Sequence, residues 1–178
     1  MTKAKHAAIF LDRDGTLMED VDYCGEPANV HVFPGAPEAL RRLKEAGYKL
    51  VVITNQSGIG RGYFSEEQYR AVESEVDRQL GQDLIDATYH CPHLPADKCK
   101  CRKPSPEMIV RATDEHQLDL SRSFFIGDKQ SDIDCGRNAG TRTILLRTGY
   151  GRTAKSGTAN FVAEDLTEAV DRVLAESK

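Results

Sequence analysis

The run Ala7-Ala8-Ile9-Phe10-Leu11, closed by Asp12-Arg13-Asp14-Gly15-Thr16, constrains this chain more than any other stretch. A short unbroken apolar run marks a strand buried on both faces, as in a parallel sheet covered by helices. Two acids one residue apart end it abruptly, and Gly15 permits a sharp turn. Open α/β sheets bind ligands just outside the carboxyl ends of their strands, so Asp12 and Asp14 are expected at the mouth of a site. Alone, an Asp-x-Asp pair also fits a solvated acidic turn.

Three later segments repeat the pattern of strand followed by polar turn. Tyr48–Ile53 delivers Thr54-Asn55-Gln56-Ser57-Gly58; a fourth strand over Ser123–Ile126 delivers Gly127-Asp128-Lys129-Gln130-Ser131-Asp132; and Arg102-Lys103-Pro104 stands just before a helix. Helical spacing predicts helices over Pro37–Ala46, closed by Gly47, and over Leu166–Leu174. A capping box at Ser65–Gln68 opens a helix to about Leu80. Ser105 as N-cap with Pro106 in the first turn opens another to about His116, and Ser131–Ala139 is a short one closed by Gly140. Further strands are expected at Asp86–His90, Arg142–Leu146 and, at an edge, Phe161–Ala163. Residues 15–35 are expected to be a loop whose Glu19, Asp20, Asp22 and Tyr23 can reach the site or simply face solvent. Residues 55–64, with Gly58, Gly60 and Gly62, form either a flexible connector or a loop that turns backbone N–H groups on an anion. The alternation of strand and helix predicts a parallel α/β sandwich.

The chain has 178 residues, 39% of them hydrophobic and 29% charged, which suits one globular domain over 1–178. A net charge of −4 argues against general nucleic-acid binding. No apolar run approaches the ~20 residues that cross a bilayer. Met1 to His6 show no leader pattern, so the expected location is the cytoplasm; the expected state is a monomer. The five cysteines suit no disulfide framework. Cys91, His93, Cys99 and Cys101, spaced C-x-H-x5-C-x-C, match a closed tetrahedral zinc site whose metal is structural. A set of free thiols is the alternative, and Cys24 and Cys135 are expected to be free thiols in the core or at the surface.

The ordered set of Asp-x-Asp-Gly-Thr, strand-Thr-Asn, Lys-Pro and Gly-Asp-x-x-x-Asp resembles the haloacid-dehalogenase (HAD) superfamily of phosphohydrolases, over residues 7–140. The resemblance implies a Rossmann-like fold, almost without a cap. It implies that Asp12 attacks phosphorus to form an aspartyl-phosphate and that Asp14 serves as general acid and then base. Asp12, the Asp14 carbonyl and Asp128 would hold Mg2+. Thr54 and Lys103 would bind the phosphoryl group, Lys103 also holding Asp12. Asp132 either supports the metal's outer shell or caps the helix that starts there.

The cysteine loop directly before Arg102-Lys103-Pro104, with Thr54-Asn55-Gln56-Ser57-Gly58 and Arg61-Gly62, resembles the capless D,D-heptose 1,7-bisphosphate phosphatases. Histidinol-phosphate phosphatases share loop and motifs. The span from His93 to Cys99 is short, and Val21-Asp22 is not a diagnostic match. The likeness implies a small sugar-phosphate substrate touched by Asp20, Tyr23, Asn55, Gln56, Ser57, Arg61, Arg102 and Lys129. Arg102 and Lys129 add cations to the catalytic set, which suits a second phosphate and ranks a sugar bisphosphate first. A polynucleotide 3'-phosphatase and a non-catalytic phosphate-binding module are the remaining alternatives. No nucleic-acid or membrane partner is expected.

Overall fold

The computed structural model of the protein describes residues 5–155 and 157–177. The leader expectation, which rests on 1–6, falls mostly outside these residues. Six strands, β1 (Ala8–Leu11), β2 (Lys49–Asn55), β3 (Ala87–Cys91), β4 (Phe124–Gly127), β5 (Arg142–Leu146) and β6 (Phe161–Ala163), form one sheet in the order β3-β2-β1-β4-β5-β6. Every pairing is parallel. This is the doubly wound order, which reverses between β1 and β4 and opens a crevice at that point.

The helices are α1 (Ala36–Glu45), the one-turn α2 (Ser57–Gly60), α3 (Glu66–Leu80), α4 (Glu107–His116), α5 (Gln130–Ala139) and α6 (Leu166–Glu176). Side chains alternate across each strand, and each face is covered separately. On one face Ile9, Leu11, Leu50, Val52, Phe124 and Ile126 meet the apolar stripes of α1, α3 and α6. On the other, Ala8, Phe10, Val51, Ile53 and Phe125 meet Met108, Ile109 and Ala112 of α4 and Cys135 of α5. All four β1 residues are fully buried, as its unbroken apolar run requires. Each large one contributes about 1.5–3 kcal/mol of burial.

Local signals placed most boundaries to within two residues, and the departures have physical causes. β2 runs two residues beyond Ile53 because β3 pairs with it as far as Asn55↔Cys91. The 15–35 segment is not a free loop. Met18 bridges both Asp14 and Val32, Pro27–Asn29 makes a 3-10 turn, and Leu17, Met18, Cys24 and Val30 are buried. The glycine-bearing stretch contains α2, so it is not wholly a loop. Pro106, one residue later than Ser105, holds the N-cap place of α4, and the Ser105 hydroxyl still accepts from the Glu107 amide at 3.4 Å while donating to the Lys100 carbonyl. Cys24 and Cys135 are both buried free thiols. Among the described residues no helix is long and apolar enough to cross a membrane.

Candidate active site

Asp12 leaves β1 and Asp128 leaves β4, side by side at the crevice. Asp12 is 3% exposed, Lys103 3%, and Asp128 and Asp132 are fully buried. So much charge in the interior is tolerated only when paired. Lys103 Nζ lies 2.9 Å from Asp12 Oδ1 and 2.7 Å from Asp132 Oδ1, and it donates to the Ile53 carbonyl at 2.7 Å. The contacts to Asp12 and to the Ile53 carbonyl are hydrogen bonds, and that to Asp132 is an ion pair. Burial pulls the Lys103 pKa down, but Asp12 and Asp132 outweigh it and hold the ammonium above its usual range. Burial pushes Asp12 upward, and Lys103 and Lys129 overcome that to hold it below the usual carboxylate range. Asp132 also accepts from the Lys129 amide at 3.0 Å, so it caps α5 and braces Lys103 at once.

Asp128 sits in a close backbone cradle. Gly15 lies in the left-handed region at φ +86°, and a Cβ there or on Gly149 would collide with the Asp128 carboxylate. Oδ2 accepts from the Tyr150 amide at 2.8 Å, whereas Oδ1 is buried with no hydrogen-bond partner among the described residues. Burial, with the charge of Asp12, pushes Asp128 up to about 8. Burial and Asp12 push Asp132 up to about 6. One oxygen from each of Asp12, Asp128 and Asp132 lies within 4.8 Å of the others. An all-oxygen, anion-rich set with an unpartnered carboxylate oxygen fits a hard divalent cation such as Mg2+.

Asp14 is set apart from this cluster by its own clamp. Arg13 Nε and Nη2 donate to its two oxygens at 3.1 Å each. Gln56 donates from Nε2 to Asp14 Oδ2 and to Thr54 Oγ1, both at 2.8 Å, and accepts from Arg13 Nη2 at 3.1 Å. Arg13 is 1% exposed, with its guanidinium 5.6 Å from the Tyr69 ring centroid. No local signal marks this role, since arginine is seldom fully buried and Gln56 stands 43 residues away.

A cavity of about 250 Å³ opens beside the cluster, bordered by Asp14, Asp20, Tyr23, Asn55, Gln56, Ser57, Arg102 and Lys129 among others. Most of the expected substrate contacts therefore converge. Arg61 is the exception: it does not border the cavity but stacks on Tyr23, its guanidinium 5.6 Å from the ring centroid. Asn55 spends its amide on the main chain of Lys103, donating to the carbonyl at 3.2 Å and accepting from the amide at 3.0 Å. Lys129 pairs with Asp20 at 3.2 Å across the rim. A larger cavity of about 380 Å³ lies at the amino ends of the strands, around Tyr48, Arg122 and Arg142, far from these groups.

The cysteine loop leaves β3 at Cys91. Cys91 Sγ lies 3.6 Å from Cys99 Sγ and 3.1 Å from Cys101 Sγ, with Cys99 and Cys101 3.7 Å apart. His93 Nδ1 is 3.5 Å from Cys91 Sγ and 3.2 Å from Cys101 Sγ. A tetrahedral zinc with Zn–S near 2.3 Å has ligand edges of about 3.5–3.8 Å. The four atoms fit such a site after small outward shifts. The loop adjoins the cavity: Arg102 donates to the His93 carbonyl at 3.2 Å, and Gly60 of α2 donates to the Pro92 carbonyl at 3.0 Å.

Comparison with known proteins matches residues 9–101 to the family described as haloacid dehalogenase-like hydrolase and residues 100–169 to one described as HAD-hydrolase-like. A relative from Haemophilus ducreyi named D-glycero-beta-D-manno-heptose-1,7-bisphosphate 7-phosphatase is 39% identical over 177 residues, covering 93% of this chain and 97% of that one. One of the same name from Pasteurella multocida is 43% identical over 172 residues, covering 90% and 93%. A crystal structure of D,D-heptose 1,7-bisphosphate phosphatase from B. bronchiseptica, complexed with magnesium and phosphate, superposes with a TM-score of 0.86. It shares 35% identity and covers 96% of this chain and 99% of that one.

Proposed function

The chain belongs to the heptose-1,7-bisphosphate 7-phosphatase family of haloacid dehalogenase-like hydrolases, and on that premise we propose that it removes the 7-phosphate of D-glycero-D-manno-heptose 1,7-bisphosphate. It is a phosphoric monoester hydrolase. The observation that carries the reading is the Lys103 ammonium against Asp12 Oδ1 at 2.9 Å, at the sheet's switch point. It holds the carboxylate ionised and fixed, as an attacking group requires.

In this reading Asp12 attacks phosphorus, the P–O bond to the sugar breaks, and the leaving oxygen takes a proton from Asp14. Water then attacks the aspartyl-phosphate, and its proton returns to Asp14. Thr54 directs its hydroxyl toward the phosphoryl oxygens. The permanent charge of Lys103 offsets the repulsion between Asp12 and the incoming phosphate. Asp12, Asp128 and the Asp14 carbonyl would hold Mg2+. When bound, the metal neutralises phosphoryl oxygens and aligns them with the nucleophile. Arg102 and Lys129, at the cavity rim, would receive the second phosphate, Arg102 by its planar fork.

The test is a comparison of rates on both anomers of the heptose bisphosphate, histidinol phosphate and a 3'-phosphorylated oligonucleotide. A heptose bisphosphate anomer is expected to lead; preference for histidinol phosphate would overturn the substrate assignment and leave the phosphatase intact. Cys91, His93, Cys99 and Cys101 are proposed to hold a structural Zn2+. Metal analysis of protein purified without chelators should give about one zinc per chain, and Cys99→Ser should lose both zinc and thermal stability. A zinc-free preparation of full stability would refute this.

A further inference from the structure

We propose that Arg13 and Gln56 are positioning residues that commit one atom, Asp14 Oδ1, to proton transfer. The proposal rests on the phosphatase reading above and adds to it a reason for a buried arginine. An ionised carboxylate offers about four acceptor sites. Three N–H groups already fill three of them: Arg13 Nε and Gln56 Nε2 on Oδ2, and Arg13 Nη2 on Oδ1. Oδ2 is saturated. Oδ1 keeps one open site, in a side chain that borders the cavity. A proton carried there can pass to a leaving oxygen in the cavity, whereas one on Oδ2 would displace a hydrogen bond.

The clamp is also directional. Gln56 accepts from Arg13 through Oε1, which leaves its Nε2 to face Asp14 Oδ2 and Thr54 Oγ1. A flipped amide would set its NH2 against the guanidinium, so the network fixes this orientation. One side chain thereby ties the proton-transfer group to the hydroxyl expected on the phosphoryl oxygens. The arrangement is a poor way to stabilise a fold. Arg13 Nη1 is buried without a hydrogen-bond partner among the described residues, and a well-packed apolar side chain often replaces such a buried ion pair at no cost. A fork held under Asp14 at that expense is explained by what it does to Asp14.

The reaction separates this role from a structural one. An alkoxide leaving group needs the proton as the P–O bond breaks, whereas p-nitrophenolate departs without it. Arg13→Met should lower kcat/KM, which is set by the steps up to formation of the aspartyl-phosphate, by about 10²–10³-fold on an alkyl phosphate, β-glycerophosphate or the sugar bisphosphate. On p-nitrophenyl phosphate it should lower kcat/KM by under about 10-fold. Gln56→Leu should show the same selectivity more weakly, about 10-fold, and Arg13→Lys, which keeps the charge but not the fork, should recover only part of the loss. Equal losses on alkyl and aryl esters, in whichever of Arg13→Met and Gln56→Leu folds with a native circular-dichroism spectrum, would overturn the proposal. So would the absence of any loss. Poor wild-type turnover of the heptose bisphosphate would instead count against the substrate assignment, because the ratio is readable on β-glycerophosphate alone.

Discussion

Two ion clusters of mirrored composition sit at opposite ends of the sheet. At the carboxyl ends, one lysine serves two acids: Lys103 between Asp12 and Asp132. At the amino end of β2, one acid serves two lysines: Asp86 takes Lys44 at 2.8 Å and Lys49 at 3.0 Å, and accepts from the Leu50 amide at 2.8 Å. The second cluster satisfies its acid fully and leaves the lysines in contact with solvent. It pins α1 and the start of β2 to the loop before β3. The first is almost wholly buried, is one acid richer than its cation can neutralise, and adjoins a third carboxylate, Asp128, one oxygen of which has no hydrogen-bond partner among the described residues. Charge composition alone does not mark a site; burial with an incomplete set of partners does.

The largest expected contrast is in activity. Asp12→Asn should abolish turnover while leaving the fold unchanged by circular dichroism, since an amide cannot form the acyl-phosphate. Asp86→Asn should leave kcat/KM near the wild-type value. Substantial turnover by the Asp12 variant would erase the distinction between the clusters.

Next is Lys103→Met, which strands Asp12 and Asp132 in the interior without their cation. Removing one partner of a buried pair costs about 3–5 kcal/mol, readable by urea denaturation in magnesium-free buffer, and activity should fall with it. Arg102→Ala, at the exposed rim, should reduce kcat/KM for a sugar bisphosphate by about 10–100-fold, the ~1.5–3 kcal/mol of a hydrogen bond to a charged group. It should cost much less on a small monophosphate. Equal losses would place Arg102 on the transferring phosphate or in the support of the cysteine loop, where it already bonds the His93 carbonyl.

The smallest effect belongs to Asp86. Partial burial raises its pKa, but Lys44, the Leu50 amide and Lys49 more than offset this and hold it below the ordinary carboxylate range. A depressed native pKa contributes stability that is complete above the unfolded value, about 4, and is lost as pH falls through the native one. Asp86→Asn should therefore cost about 1 kcal/mol at pH 7, and the difference in melting temperature from wild type should shrink below about pH 4. A difference that persists at low pH would mean that packing, not charge, is what Asp86 supplies.

The same contrast explains how much was legible in the sequence. β5, β6 and the Ser65–Gln68 cap stand where periodicity and capping put them, because those signals are local. Asp12, Asp128 and Lys103 converge as expected because each directly follows a strand or precedes a helix in a doubly wound order. The supporting contacts were not legible. Arg13 under Asp14, Asn55 on the Lys103 main chain and Asp132 on the Lys103 ammonium all depend on side-chain packing between segments far apart in sequence. The capping signal at Ser105 was right to within one residue: Pro106 holds the N-cap place, and the Ser105 hydroxyl accepts from the Glu107 amide.

The central claim is that Asp12, held ionised by Lys103, becomes covalently phosphorylated. The direct measurement is rapid acid quench of the enzyme during turnover of a substrate labelled in the transferred phosphate, followed by peptide mapping. The account predicts a hydroxylamine-labile phosphoryl group on the peptide carrying Asp12, absent from Asp12→Asn and, with p-nitrophenyl phosphate as substrate, accumulating when Asp14 is changed to Asn, because that leaving group needs no proton while the hydrolysis still needs the base. Label on another residue, or turnover that passes through no labelled protein at all, would contradict it.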